Sequence, residues 1–254
     1  MTCIGNRGRS TLFFAIVFIC GGALPPGFAQ GQRNPKDSVS KSVFLVTPRL
    51  NSAGYFPFTG AYINKNLNAD INLFYERNQV GFFLFKSQDL EDSHSVINYF
   101  QPGIFKKFRL SQPLQVALYF GYLFSQTASF RDSDSDYYTA VAAYWTISSR
   151  MKLENTALFF DLTHSEKMAD RILLSYTAQG FKLDFYVWQR VVFETNAYAA
   201  SASMAVNFPK IKLTGRTSLQ TTFSYMGYLT RAKPDYAMRD GFLFTIAVPV
   251  SLAR

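Results

Sequence analysis

With 254 residues, 48% of them hydrophobic, the chain is long enough for one domain, and its two cysteines, Cys3 and Cys20, both fall in an N-terminal export segment, which excludes disulfide and thiolate-metal chemistry from the rest. The formal charge of +9 becomes +7 when Arg7 and Arg9 leave with that segment, 24 basic residues against 17 acidic. An exported chain without a concentrated basic run is a poor nucleic-acid binder, so the excess points to lipopolysaccharide or an anionic solute.

The export segment is residues 1–29. Arg7 and Arg9 precede the apolar run Leu12–Cys20, helix-breaking Pro25 and Pro26 follow, and the small residues Gly27 and Ala29 place cleavage before Gln30. A run of nine apolar residues is far short of the roughly 20 that a spanning helix needs. Val17-Phe18-Ile19 lacks the small residue usual before a lipidated cysteine, so Cys20 is not expected to carry lipid. Residues 30–42 are polar, contain Pro35 and read as a flexible lead into a single domain over 43–254.

From there one unit recurs: about ten residues alternating apolar and polar, then a polar break. Side chains alternate faces only in an extended strand, so each unit is two-faced only as β-structure. The first strand is either Ser42–Leu50, which makes Asn51–Asn66 a long loop holding Pro57, or Gly54–Ile63. In Leu67–Glu76, Leu67, Ala69, Ile71, Leu73 and Tyr75 oppose Asn68, Asp70, Asn72, Phe74 and Glu76. Gln79–Phe85, Val96–Lys106, Leu114–Thr127, Tyr137–Ile147, Lys152–Leu162 and Arg171–Gln179 follow. Phe181–Val192 sets Phe181, Leu183, Phe185, Val187 and Val191 against Lys182, Asp184, Tyr186, Trp188 and Arg190, and only Gln189 breaks its apolar face. Ala197–Asn207, Ile211–Leu229 and Gly241–Leu252 complete about twelve strands, an even number.

The breaks alternate in length. Arg77-Asn78, Leu110–Pro113, Ser148–Met151, Gly180 and Phe208–Lys210 are short, whereas Gln88–Ser95, Ala128–Asp136, Thr163–Asp170 and Thr230–Asp240 are long, with Glu194–Asn196 the one weak long break. Short turns at one end and long loops at the other, abundant Phe (26) and Tyr (15), and no long apolar helix after the export segment describe an all-β, antiparallel up-and-down transmembrane β-barrel. A soluble two-sheet sandwich is the alternative for alternating strands.

The inferred inward face carries Asp70, Glu76, Glu154, Arg171, Lys182, Asp184, Arg190, Lys212 and Arg216. These charges either pair across the lumen or line a passage, and their basic excess would favour anions. Asp132, Asp134 and Asp136 alternate as calcium ligands can, but Tyr137 and Ala143 stand where a calcium-binding helix-loop-helix site needs glycine and glutamate, so the loop reads as solvated and no metal or other cofactor is expected. His94 and His164 are the only histidines, both in predicted outer loops, and His164-Ser165-Glu166 would diverge along a strand.

In strand pattern, turn alternation and export segment, the chain resembles the bacterial outer-membrane β-barrel proteins as a class, over Gly54–Leu252. The resemblance implies integral residence in the outer membrane of a Gram-negative cell, both termini in the periplasm, contact with membrane lipid and lipopolysaccharide, and delivery by the barrel-insertion machinery. The usual terminal aromatic is absent: the chain ends Ser251-Leu252-Ala253-Arg254, leaving Phe242 or Phe244 as insertion signals. A passive channel for small hydrophilic solutes is the expected function, with a closed structural or adhesion barrel binding through its outer loops as the alternative. A lipid or peptide hydrolase at the rim fits less well. Outer-membrane lipases and deacylases place serine two residues after histidine, where this chain has Val96 and Glu166, and an omptin-like pairing of His164 with Asp161 or Asp170 is only a loose match.

Overall fold

In a computed structural model, which describes residues 42–56, 61–125, 135–163, 167–195, 197–230 and 240–252, the alternating units form one closed antiparallel sheet. The predicted export segment, most of the polar lead, Asp132, Asp134 and His164 lie outside the described residues. The wall strands are β1 (Val43–Asn51), β4 (Asn68–Arg77), β5 (Val80–Asp89), β6 (Tyr99–Arg109), β7 (Leu114–Ser125), β8 (Asp136–Thr146), β9 (Met151–Phe160), β10 (Lys167–Ala178), β11 (Phe181–Val192), β12 (Ala197–Asn207), β14 (Ser218–Tyr228) and β15 (Gly241–Ala247). Each pairs with its sequence neighbours, and β1 pairs with β15 to close the ring. Among the described residues every wall strand has two partners and the sheet has no free edge, so the sandwich alternative falls.

The first strand is Val43–Asn51. Its nine residues pair with β4 from Val43 opposite Glu76 to Asn51 opposite Asn68. Gly54–Ile63 is not a wall strand. Gly54–Phe56 (β2) and Ala61–Asn64 (β3) pair only with each other, as a hairpin in the first long loop. The expected Ile211–Leu229 strand is also broken: Ile211–Lys212 (β13) folds back on Ser218 and Leu219, turning where the amides of Leu213 and Thr214 donate to Thr217 O. At the C-terminal end Pro249, which has no amide to donate, interrupts the ladder, and Val250–Ser251 (β16) resumes pairing with β1.

Turn chemistry matches the phasing. Asn78 and Gln79 join β4 to β5 with φ of 53° and 67°, both left-handed, as a two-residue I′ hairpin requires, and Gly180 takes φ 92° between β10 and β11. The strand ends that flank the longer breaks all lie at the opposite end. Val43 and Ser251 both sit at the short-turn end, so the described chain enters and leaves the barrel on one side.

The outer surface of the wall is apolar. Ile104 is 60% exposed, Met204 59% and Phe242 61%, with Leu118, Phe120, Val141, Phe185 and Phe223 among their exposed neighbours. A continuous apolar surface of this extent is stable against lipid and not against water. Aromatic residues collect towards both ends: Phe44 and Tyr75 meet edge to face at 6.2 Å near the short turns, and Tyr122 and Tyr137 at 4.8 Å near the loops, as interfacial girdles do. Among the described residues, no helix is long and apolar enough to cross a membrane.

Candidate functional site

Because alternate residues point inward, the polar face of each strand lines the lumen. Asp70, Glu76, Glu154, Arg171, Lys182, Asp184 and Arg190 stand on that face, and the structure shows how most are matched. Arg49 Nε lies 2.5 Å from Asp70, Lys107 Nζ 2.6 Å from Glu76, and Lys182 Nζ 2.8 Å from Asp184, while Arg171 pairs with Glu154. Asp184 also accepts from Ser175 Oγ at 2.5 Å and Asn207 Nδ2 at 2.8 Å, so its buried charge is surrounded by donors. Lys212 and Arg216, expected beside them, lie instead on the exposed β13–β14 turn. Alternation runs through that turn with its parity intact, so periodicity carries no trace of the fold-back. The only local sign is Thr214-Gly215, a turn-forming pair.

Three ion-paired inward cations were missed. Arg49 belongs to the strand left open, Lys107 lies one residue beyond the predicted Val96–Lys106, and Lys167, 2.8 Å from Asp161, was assigned to a loop. With them, five inward cations, Arg49, Lys107, Lys167, Arg171 and Lys182, sit beside carboxylates. Asp136 is buried, and its carboxylate accepts from the amide and hydroxyl of Thr163 at 2.6 and 2.8 Å, tying one loop to the next. Among the described residues, no three potential ligands converge as a metal site. His94 is exposed on the loop after β5, beside Ser93 at 3.2 Å.

The first long loop turns into the barrel. Ala53 and Tyr62 are buried against Trp188 of β11, Met226 of β14 and Leu243 of β15, and the Phe56 ring lies tilted 5.6 Å from that of Tyr99 of β6. Asp89, at the end of β5, holds this loop: it accepts from Asn64 Nδ2 at 2.8 Å, from Asn66 Nδ2 at 3.1 Å, and from the amides of Glu91 and Asp92 at 3.0 Å. Tyr55 is half-buried against the same cluster, and desolvation raises its hydroxyl pKa above the ordinary value.

The inward face also carries aromatic residues that the sequence pattern placed there only in part, at Phe74, Tyr186 and Trp188. Phe83, Phe105, Tyr138, Ala140, Leu158 and Ala169 form one buried cluster on the inside of β5–β10, with Phe74, Tyr119, Leu123 and Phe160 against it. These rings lie along the wall because glycines receive them. The Tyr138 hydroxyl reaches Pro102 O at 3.2 Å across Gly103 and Gly121, and a Cβ on either glycine would collide with Tyr138.

Two cavities remain beside this lining. One, towards the loops, is bounded by Phe56, Tyr99, Leu123, Phe160, Lys167 and Arg190 among others. The second, towards the short turns, is bounded by Asn72, Phe74, Tyr144, Glu154 and Arg171 among others. Tyr138 and Leu158 border both, so the cavities stack along the wall strands and meet at these two side chains.

The fold is that of the bacterial outer-membrane porins. Among solved structures, the KdgM porin matches over 82% of this chain and 99% of its own with 6% identity and a TM-score of 0.54. The NanC porin matches over 82% and 100% with 10% identity and a TM-score of 0.56. The COG4313 outer membrane channel from Pseudomonas putida F1 matches over 87% and 100% with 10% identity and a TM-score of 0.50. At these identities the likeness is one of fold. No protein-family model matches the chain, and no curated protein matches its sequence.

Proposed function

We propose that this chain is an integral outer-membrane channel, without enzymatic activity, through which small solutes cross passively. The observation that carries this reading is the pair of stacked cavities inside a closed, externally apolar barrel: they run from the loop end past Tyr138 and Leu158 towards the short-turn end. Inward ion pairs give the lumen a polar component, and the first loop packs against the inside of the wall through Ala53 and Tyr62. Both ends of the described chain lie on the short-turn side, which supports termini in the periplasm and long loops outside.

The test is conductance across a planar bilayer by the folded protein, with folding verified by heat-modifiable migration on a gel. Discrete conductance steps are expected. A silent bilayer from folded protein would overturn the reading in favour of a closed barrel that binds a partner through its loops.

A further inference from the structure

From the lining of the loop-side cavity we infer a substrate class: small molecules with an apolar, ring-sized body and one or two polar groups, in preference to sugars. This rests on the channel reading and deepens it. The walls of this cavity follow the usual recipe of a small-molecule site, mostly apolar and aromatic surface with few polar groups. Phe56, Tyr99, Leu123, Tyr138, Leu158 and Phe160 supply flat rings and branched aliphatic groups on facing strands and on the infolded loop.

Most polar groups of the same cavity are already engaged by protein, with Asp161 Oδ1 the acceptor left over. Asp136 accepts from Thr163, Lys167 pairs with Asp161 at 2.8 Å, and Gln101 hydrogen-bonds the Tyr138 hydroxyl. Ser125 and Arg190 are likewise partnered. A sugar presents hydroxyls around its whole ring and needs a matching set of donors and acceptors. Here it would have to break existing bonds, or bury its hydroxyls against Leu158 and Phe160 at a cost of a kcal/mol or more each. An apolar ring meets neither penalty. The glycine seats under Tyr138 act in the same direction, because a ring laid along the wall offers its face to a passing solute instead of filling the space.

The experiment uses full-length folded protein, with benzyl alcohol and glucose as probes. Calorimetric titration in detergent reads binding, and interruption of ionic current in bilayers reads entry into the lumen. Benzyl alcohol is expected to bind and to interrupt the current at concentrations at least about tenfold lower than glucose, a ratio of the size that apolar pocket contacts give. Phe160→Ser and Leu158→Gln should each reduce that preference about tenfold while leaving the heat-modifiable band intact, and Phe160→Tyr should retain it. Conductance with equal or stronger interruption by glucose overturns the inference and leaves the channel intact. Calorimetric binding of benzyl alcohol with a silent bilayer overturns the channel and keeps the site, and failure of both overturns both.

Discussion

Thr245 in β15 donates its hydroxyl to Asn51 Oδ1 in β1 at 2.8 Å, joining residues 194 positions apart across the seam where the barrel closes. Asn51 is fully buried, and its amide donates onward to Asn68 Oδ1 at 3.0 Å and Asp70 Oδ2 at 2.7 Å, while Asn68 donates to Ser87 Oγ at 3.0 Å. The closing seam thus continues inside the barrel as a hydrogen-bonded row across β15, β1, β4 and β5.

Asn51→Leu should weaken the barrel markedly. It strips Thr245, Asn68 and Asp70 of a buried partner at once, and each orphaned group costs about 1–3 kcal/mol. The midpoint of urea unfolding in detergent, followed by loss of the heat-modifiable band, should fall well below that of the unaltered protein. Thr245→Val removes one donor and should cost less.

Ion preference should be weak, because the inward cations Arg49, Lys107, Lys167, Arg171 and Lys182 each have an adjacent carboxylate. In a KCl gradient the reversal potential is expected near zero. Arg190→Glu, on the inward face of β11, should shift it towards cations. Arg216→Glu, on the exposed β13–β14 turn, should leave it unchanged, and an equal shift in both variants would contradict the assigned topology.

Asp89→Ala should free the infolded first loop by removing the shared acceptor of Asn64, Asn66 and two backbone amides. Single-channel conductance should rise and become noisier as β2 and β3 leave the lumen. Unchanged conductance would mean that the packing of Tyr62 on Trp188, Met226 and Leu243 holds the loop unaided.

Gly121→Val should act through Tyr138. The added side chain occupies the place of the Tyr138 ring and crowds Pro102 O, so the ring must turn into the lumen at the junction of the two cavities. Conductance should drop, and overpacking should cost about 1–3 kcal/mol of stability. Gly121→Val combined with Tyr138→Ala should recover much of the conductance.

Phe120→Arg tests the outer face. Phe120 is half exposed on the lipid side of β7, where an arginine near the bilayer midplane costs about 2–4 kcal/mol. Reversible unfolding in lipid vesicles should show a loss of that size, and a loss below about 1 kcal/mol would place this part of the wall outside the hydrocarbon layer.

The strict alternation in Leu67–Glu76 and Phe181–Val192 determined, without any contact information, that these segments are two-faced strands and which charges face inward. A period of two has only one structural solution. Alternating break lengths likewise determined the up-and-down order and the shared side of the two chain ends. The sequence left three things to the tertiary structure. Lys212 and Arg216 fall off the wall because a tight turn can preserve parity, so local pattern cannot distinguish a continued strand from a folded one. Gly54–Ile63 alternates like a wall strand yet forms a hairpin in the lumen, since its partners Trp188, Met226 and Leu243 lie far along the chain. Arg49 and Lys107 neutralise Asp70 and Glu76 only once β1, β4, β5 and β6 are in register. Period and turn spacing are local properties of a chain, whereas lumen charge and lumen shape depend on which distant residues the closed sheet brings face to face.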